Sequence, residues 1–218
     1  MSAPSSFSAA LRERCGAAAA PGEGWGFLAD LMCGRGTRDD YIALVAQHAF
    51  VYEALEVAAE RMRRDPVAAT FLLDRPSRLP AIEADLGFLV GPRWREALTA
   101  LPATARYVQR IREVGATWAG GFVAHHFTRV LGDLSGGPSI GRLLQRRYGF
   151  DTNGIGFFLS SDIADPRAFR DVYREQLDAA PWDEAERERV TAEVLVAYRC
   201  NSELFDDLAR TRASRAVA

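Results

Sequence analysis

The chain has 218 residues, 48% of them hydrophobic and 26% charged, with a formal net charge of -2. That length suits one large domain or two small ones, with a core that needs no disulfide or metal staple. So small a net charge gives no global field toward nucleic acid or an anionic membrane. All 27 basic residues are arginine, so any anion contact must be made by a guanidinium. The cysteines, Cys15, Cys33 and Cys200, form no CxxC pair, which points to a reducing cytoplasm. No apolar run reaches the length of a membrane span, and Met1 to Ala10 lacks a basic segment followed by an apolar core. A soluble, cytoplasmic protein is expected.

Helical periodicity dominates the chain. Phe7 to Ala20 reads as a helix that Pro21-Gly22-Glu23-Gly24-Trp25-Gly26 breaks, and helicity resumes from Phe27 to Cys33, where Gly34 ends it. Asp39 or Asp40 can cap a helix reaching about Arg64, before Asp65-Pro66. Arg78 to Leu89 follows, ended by Gly91-Pro92; Arg93 to Ala100 is short; Ala103 to Val114 starts after Pro102. A long segment runs from Ala119 to Arg147. Ile155-Gly-Phe-Phe-Leu159 carries a weak strand signal. Pro166 opens a helix through Phe169, Tyr173 and Leu177, and Trp182 to Arg210 is the last, with Asp183 as its cap. The expectation is one all-α domain of about eight helices over residues 7–210, with unstructured ends at 1–6 and 211–218.

The most informative run is Ala124 to Gly137. Each glycine in a helix interior costs roughly 1 kcal/mol against alanine, and this run holds Gly132, Gly136 and Gly137. Gly132 and Gly136 are four apart and share a helix face. A face without side chains lets a flat ligand approach the backbone, while Asp133 and Ser135 put polar groups beside it. The alternative is a kinked or tightly packed helix. Other chemistries find no support: there is no Walker loop, GxGxxG after a strand, GxSxG, HExxH or zinc-type Cys/His spacing. The stretches Arg61 to Arg64 and Arg142 to Arg147 read as solvated helix faces rather than nucleic-acid patches. Either could instead dock an acidic electron donor.

The run His125-His126-Phe127-Thr128-Arg129-Val130-Leu131-Gly132-Asp133-Leu134-Ser135-Gly136-Gly137 resembles the heme oxygenase family. Tyr52 to Glu56, Tyr173-Arg174 and Tyr198 to Leu208 agree with it, and the resemblance covers roughly residues 7 to 210. It implies an all-α fold that clamps heme between a proximal helix and a kinked distal helix. It also implies cleavage of heme to biliverdin, CO and iron with O2 and reducing equivalents, with a ferredoxin or flavodoxin as the kind of donor. Gly132 and Gly136 would border the macrocycle, with Thr128, Arg129 and Gly137 on the same helix. Asp133 would hold the network that delivers protons. Arg12, Arg170 and Arg174 fall at propionate-side positions, where a guanidinium offers bidentate geometry. Phe127 stands where many members carry tyrosine. Tyr198, Asn201 and Phe205 match pocket walls, although Tyr198 and Phe205 could be plain core, and Arg170 and Arg174 a solvated pair.

One departure matters most. Ala19 occupies the position of the family's iron-binding histidine, and no histidine precedes His48. Glu23 matches the acidic residue that orients the missing ligand. Three explanations stay open. Heme could bind through its propionates and apolar contacts alone. Cys15, one turn before Ala19, or His48 could supply the ligand. Or the pocket could serve another planar or apolar molecule, or a different oxidation. A diiron site is disfavoured, since the residues three before the histidines are Val45, Phe122 and Val123 rather than glutamate.

Overall fold

The computed structural model describes residues 6–18, 24–72, 77–159, 163 and 165–217. Eleven helical segments stand among them. Two four-residue turns, α4 (Ala68–Phe71) and α9 (Gly156–Leu159), were not among the expected helices, and the short helix expected over Arg93 to Ala100 is the four-residue α6 (Trp94–Ala97). The longer helices are α1 (Phe7–Ala18), α2 (Gly24–Met32), α3 (Arg38–Met62), α5 (Leu79–Leu89), α7 (Pro102–Thr117), α8 (Ala119–Tyr148), α10 (Pro166–Ala179) and α11 (Glu184–Val217). The break expected at Pro21-Gly22 lies outside the described residues, and helicity resumes at Gly24 rather than Phe27.

α3 is the core of the molecule. Its cap is Thr37, not Asp39 or Asp40: the Asp40 amide donates to Thr37 Oγ1 (3.1 Å) and the Thr37 amide donates to Asp40 Oδ2 (2.9 Å). This capping box uses two amides that would otherwise lack partners. α3 is also the one described helix long and apolar enough to cross a membrane, but 67% of its apolar window is buried inside the protein. It packs along α7 and α5, while α11 lies across α2, α7 and α8.

The α3–α7 contact requires Gly115. A β-carbon there would sit 2.5 Å from the Ala58 β-carbon, so the helices approach too closely for any side chain. Gly115→Ala gains roughly 1 kcal/mol of helix propensity but overpacks a core contact at about 1–3 kcal/mol. We expect a net loss, read as a lower Tm in a thermal melt; a raised Tm would disprove the close approach.

α8 carries the glycine run. Its backbone stays helical through Gly136, Gly137 and Pro138, although proline removes one rung of the hydrogen-bond ladder. Gly149, left-handed at φ 67, ends it. The expected strand at Ile155–Leu159 is instead α9, because Asp85 of α5 accepts from the Gly156 (2.8 Å) and Phe157 (2.9 Å) amides and caps the turn. Asp165 caps α10 through the Arg167 and Ala168 amides, and Asp183 accepts from Glu186 N (2.8 Å) at the start of α11. α11 runs on past Arg210 to Val217. The extension is held where Arg212 reaches Asp30 (2.9 Å) and Arg215 reaches Asp40 (3.2 Å), tying the tail to α2 and α3.

Candidate functional site

The centre of the site is a polar cluster joining α3, α8 and α11. The Tyr52 hydroxyl donates to Asp133 Oδ2. Arg129, one turn before Asp133 on α8, donates through Nη2 to Asp133 Oδ1 (3.2 Å) and through Nη1 to Asn201 Oδ1 of α11 (2.7 Å). Its guanidinium also lies 5.5 Å from the Tyr52 ring centroid. Arg129 is 4% exposed. Burial works against the charged form, but the adjacent Asp133 carboxylate and the Tyr52 oxygen outweigh it and hold Arg129 firmly protonated. Asp133 itself keeps 16% of its side chain exposed. It is therefore a positioned carboxylate with an opening to its surroundings.

Gly132 beside it is exposed, and a β-carbon built there meets nothing within 4 Å. The α8 surface is thus open next to the carboxylate, as a flat ligand requires. Gly136 and Gly137 continue the helical backbone. A partly open cavity adjoins Tyr52. It measures about 190 Å³ and is lined by Tyr52, Glu56, Phe71, Arg78, His126 and Phe169 among others. That is below the roughly 300 Å³ at which ligand pockets begin.

The other expected residues divide into groups. Arg12 is exposed on α1. α1 is tied to α10 by Ser8, whose amide and hydroxyl donate to Asp178 (2.7 and 2.9 Å). Arg170 and Arg174 lie half-buried on α10, and Arg174 pairs with Asp171 (2.9 Å). Phe127 is half-buried against the Tyr173 ring. Thr128 donates to the Ala124 carbonyl (3.0 Å), so its hydroxyl is engaged within its own helix. Phe205 is buried, and Tyr198 is half-buried with its hydroxyl raised by burial and by neighbouring Cys15. Ala19 and Glu23 lie outside the described residues.

Adjacent histidines on α8 diverge as helical geometry requires. Fully buried His125 donates through Nε2 to Glu193 Oε1 (2.9 Å), while His126 Nδ1 meets the Tyr173 hydroxyl (2.9 Å). Cys15 is a core residue, and burial raises its thiol to about 11, which works against a thiolate ligand. His48 is buried between α3 and α9 against Phe157 and Phe158.

Sequence reasoning had not assigned Tyr52 a role in the site. The available signal was a tyrosine within the apolar face of a core helix, since a buried hydroxyl needs a partner.

Fold and site together define an all-α protein whose long glycine-bearing helix offers an open face beside a buried carboxylate cluster. The heme oxygenase family model matches residues 5–207. Human heme oxygenase 1 is 36% identical over 210 residues, covering 95% of this chain and 73% of that protein. Heme oxygenase 1 of Nostoc is 35% identical over 187 residues, covering 85% and 79%. The crystal structure of heme oxygenase-1 from Synechocystis in complex with heme superposes with a TM-score of 0.86, at 29% identity and 98% coverage of both chains. The chain belongs to the heme oxygenase family.

Proposed function

We propose that the chain binds heme on the open face of α8 and opens it, with O2 and a reductant, to biliverdin, CO and iron. The observation that carries this reading is the Tyr52–Asp133–Arg129–Asn201 cluster beside the bare backbone at Gly132. Heme, when bound, supplies the iron that reduces O2 and the ring carbon that is oxidised. The protein's part is to place a carboxylate at the ring face and feed it protons. The Tyr52 hydroxyl and the Arg129 guanidinium fix the Asp133 side chain, and its remaining exposure lets it orient solvent and pass protons. Arg12, Arg170 and Arg174 are the guanidiniums available to the propionates. An acidic donor such as a ferredoxin suits the exposed Arg142, Arg146 and Arg147 at the end of α8.

Ala19 favours a second reading, in which heme is held but not opened, since a methyl group cannot ligate iron. Mixing the full chain with heme, reductant and O2 separates the two. Bleaching of the Soret band with biliverdin absorbance and CO supports turnover; a stable Soret band supports binding alone; no saturable heme spectrum sinks both.

The open face makes its own prediction. Gly132→Leu is expected to abolish the heme spectrum by filling the space over α8. Because Gly132 is an exposed helical glycine, the same change should stabilise the apoprotein by about 0.5–1 kcal/mol. Heme titration and a thermal melt should move in opposite senses. A Gly132→Leu variant that binds heme like the parent would place the ligand elsewhere.

A further inference from the structure

We infer that the partly open cavity adjoining Tyr52 is the route by which solvent protons reach Asp133 once the α8 face is covered, with the Tyr52 hydroxyl as its last link. The inference rests on the turnover reading above.

Turnover sets the need. Reduction of O2 consumes protons, and a macrocycle laid over Gly132 shields the neighbouring Asp133 side chain from bulk water. Protons must then come through the protein. α3 offers a path. Tyr52, Glu56, Glu60 and Arg63 share one face of this core helix and form a polar stripe about 16 Å long. The stripe grades from buried Tyr52 through half-buried Glu56 to exposed Glu60 and Arg63. All four line the cavity, so its mouth lies at the exposed pair and its inner end at Tyr52.

The cavity suits water rather than a larger guest. Its 190 Å³ is small for an organic ligand, yet a water needs only about 10–15 Å³ and a few polar partners. The polar wall is held in place. Glu56 accepts from the Ser77 hydroxyl and from the Arg78 (2.6 Å) and Leu79 (3.0 Å) amides at the start of α5. Arg63 donates to Glu60 (3.1 Å), and His126 meets the Tyr173 hydroxyl (2.9 Å). Waters bridge the space between these fixed groups. At the inner end the Tyr52 hydroxyl donates to Asp133 Oδ2. The hydroxyl proton moves to Asp133, and Asp133 releases one toward the ring face. A cavity water gives one to the phenolic oxygen, and bulk solvent returns one through the mouth. One proton crosses and no group changes its charge. The neighbouring Arg129 guanidinium stabilises negative charge on the phenolic oxygen during the exchange.

The test uses Ala59→Leu and the more adaptable Ala59→Met, which fill the cavity from a half-buried lining residue outside the Asp133 cluster. Both replacements are good helix formers, so apoprotein melts should stay near the parent's Tm. In single turnover with heme, reductant and O2, both variants should keep the parent's heme affinity and Soret spectrum. They should form biliverdin at least about tenfold more slowly, part of what an interrupted proton transfer costs, and D2O should slow them more than it slows the parent. High-resolution crystals of the apoprotein give a readout without heme: ordered waters from Glu60 to Tyr52 in the parent, displaced in Ala59→Leu. Parent-like rates and isotope effects in both variants, or a dry cavity, overturn the inference and leave turnover standing. Slow variants with the parent's isotope effect mark a packing defect and overturn it too. A parent that holds heme without forming biliverdin overturns the turnover reading and the proton route together.

Discussion

Asp133→Ala is expected to reduce biliverdin formation by about 10²–10⁴-fold, the range for removing a positioned acid–base group. Heme binding should survive, because the open face at Gly132 and the arginines remain. The carboxylate has two separable jobs: it offers a charge and an acceptor at the ring face, and it balances Arg129. Alanine removes both and leaves a buried guanidinium with Asn201 and the Tyr52 ring as its company, a loss of order 3–5 kcal/mol when a buried pair is broken. Asp133→Asn keeps a side-chain oxygen for Tyr52 and Arg129 and should therefore restore much of the stability while leaving proton delivery impaired. Single-turnover biliverdin absorbance, heme titration and thermal melts on the three proteins check this. A full rate in Asp133→Ala would remove the carboxylate from the mechanism.

The second large effect concerns stability. Glu193 of α11 is 5% exposed and accepts from His125 Nε2 (2.9 Å) and from Arg110 Nε and Nη2 (2.8 and 2.6 Å), joining α7, α8 and α11. Burial pushes its carboxyl upward, but the hydrogen bonds from His125 and Arg110 outweigh it and lower the value from 4.5 to about 2. The folded form therefore holds fewer protons than the unfolded chain between those values. The stabilisation is complete above about pH 4.5 and is lost as pH falls toward 2, on the order of 3 kcal/mol in all. Glu193→Ala should cost about 3–5 kcal/mol at neutral pH, because it leaves the His125 ring buried without its acceptor. It should also flatten acid sensitivity over that window. Glu203→Ala, which breaks the exposed Arg106 pair, should change stability by less than about 1 kcal/mol. Urea melts at neutral and acid pH measure both, and equal losses from the two variants would refute the assignment.

How far the sequence carried the reading is clearest at particular residues. The glycine run and its flanks identified α8 and the family. Helices with their own boundary chemistry, such as the one Asp183 caps, were legible because the signal is local. The failures have long-range causes. Ile155 to Leu159 has strand-like composition, yet Asp85, some seventy residues earlier, supplies the acceptor that turns it into helix. Residues 211–218 read as an unstructured end, yet Asp30 and Asp40 anchor Arg212 and Arg215 there. Asp39 or Asp40 was the expected cap of α3, yet the extended backbone at Thr37 makes that residue the cap.

By itself, the sequence determined the all-helical class, the bare face of the distal helix and the absence of a histidine at position 19, because periodicity, glycine spacing and residue identity need no partner to be read. The tertiary structure alone decided what the polar groups do. It turned Asp133 from a carboxylate beside a glycine into the centre of a cluster drawn from α3, α8 and α11. It also sorted three histidines into two with a ring-nitrogen partner and one, His48, with none. The physical reason is that a hydrogen bond or a desolvation cost belongs to a pair of groups and their surroundings, and helix packing brings together residues that the chain keeps far apart.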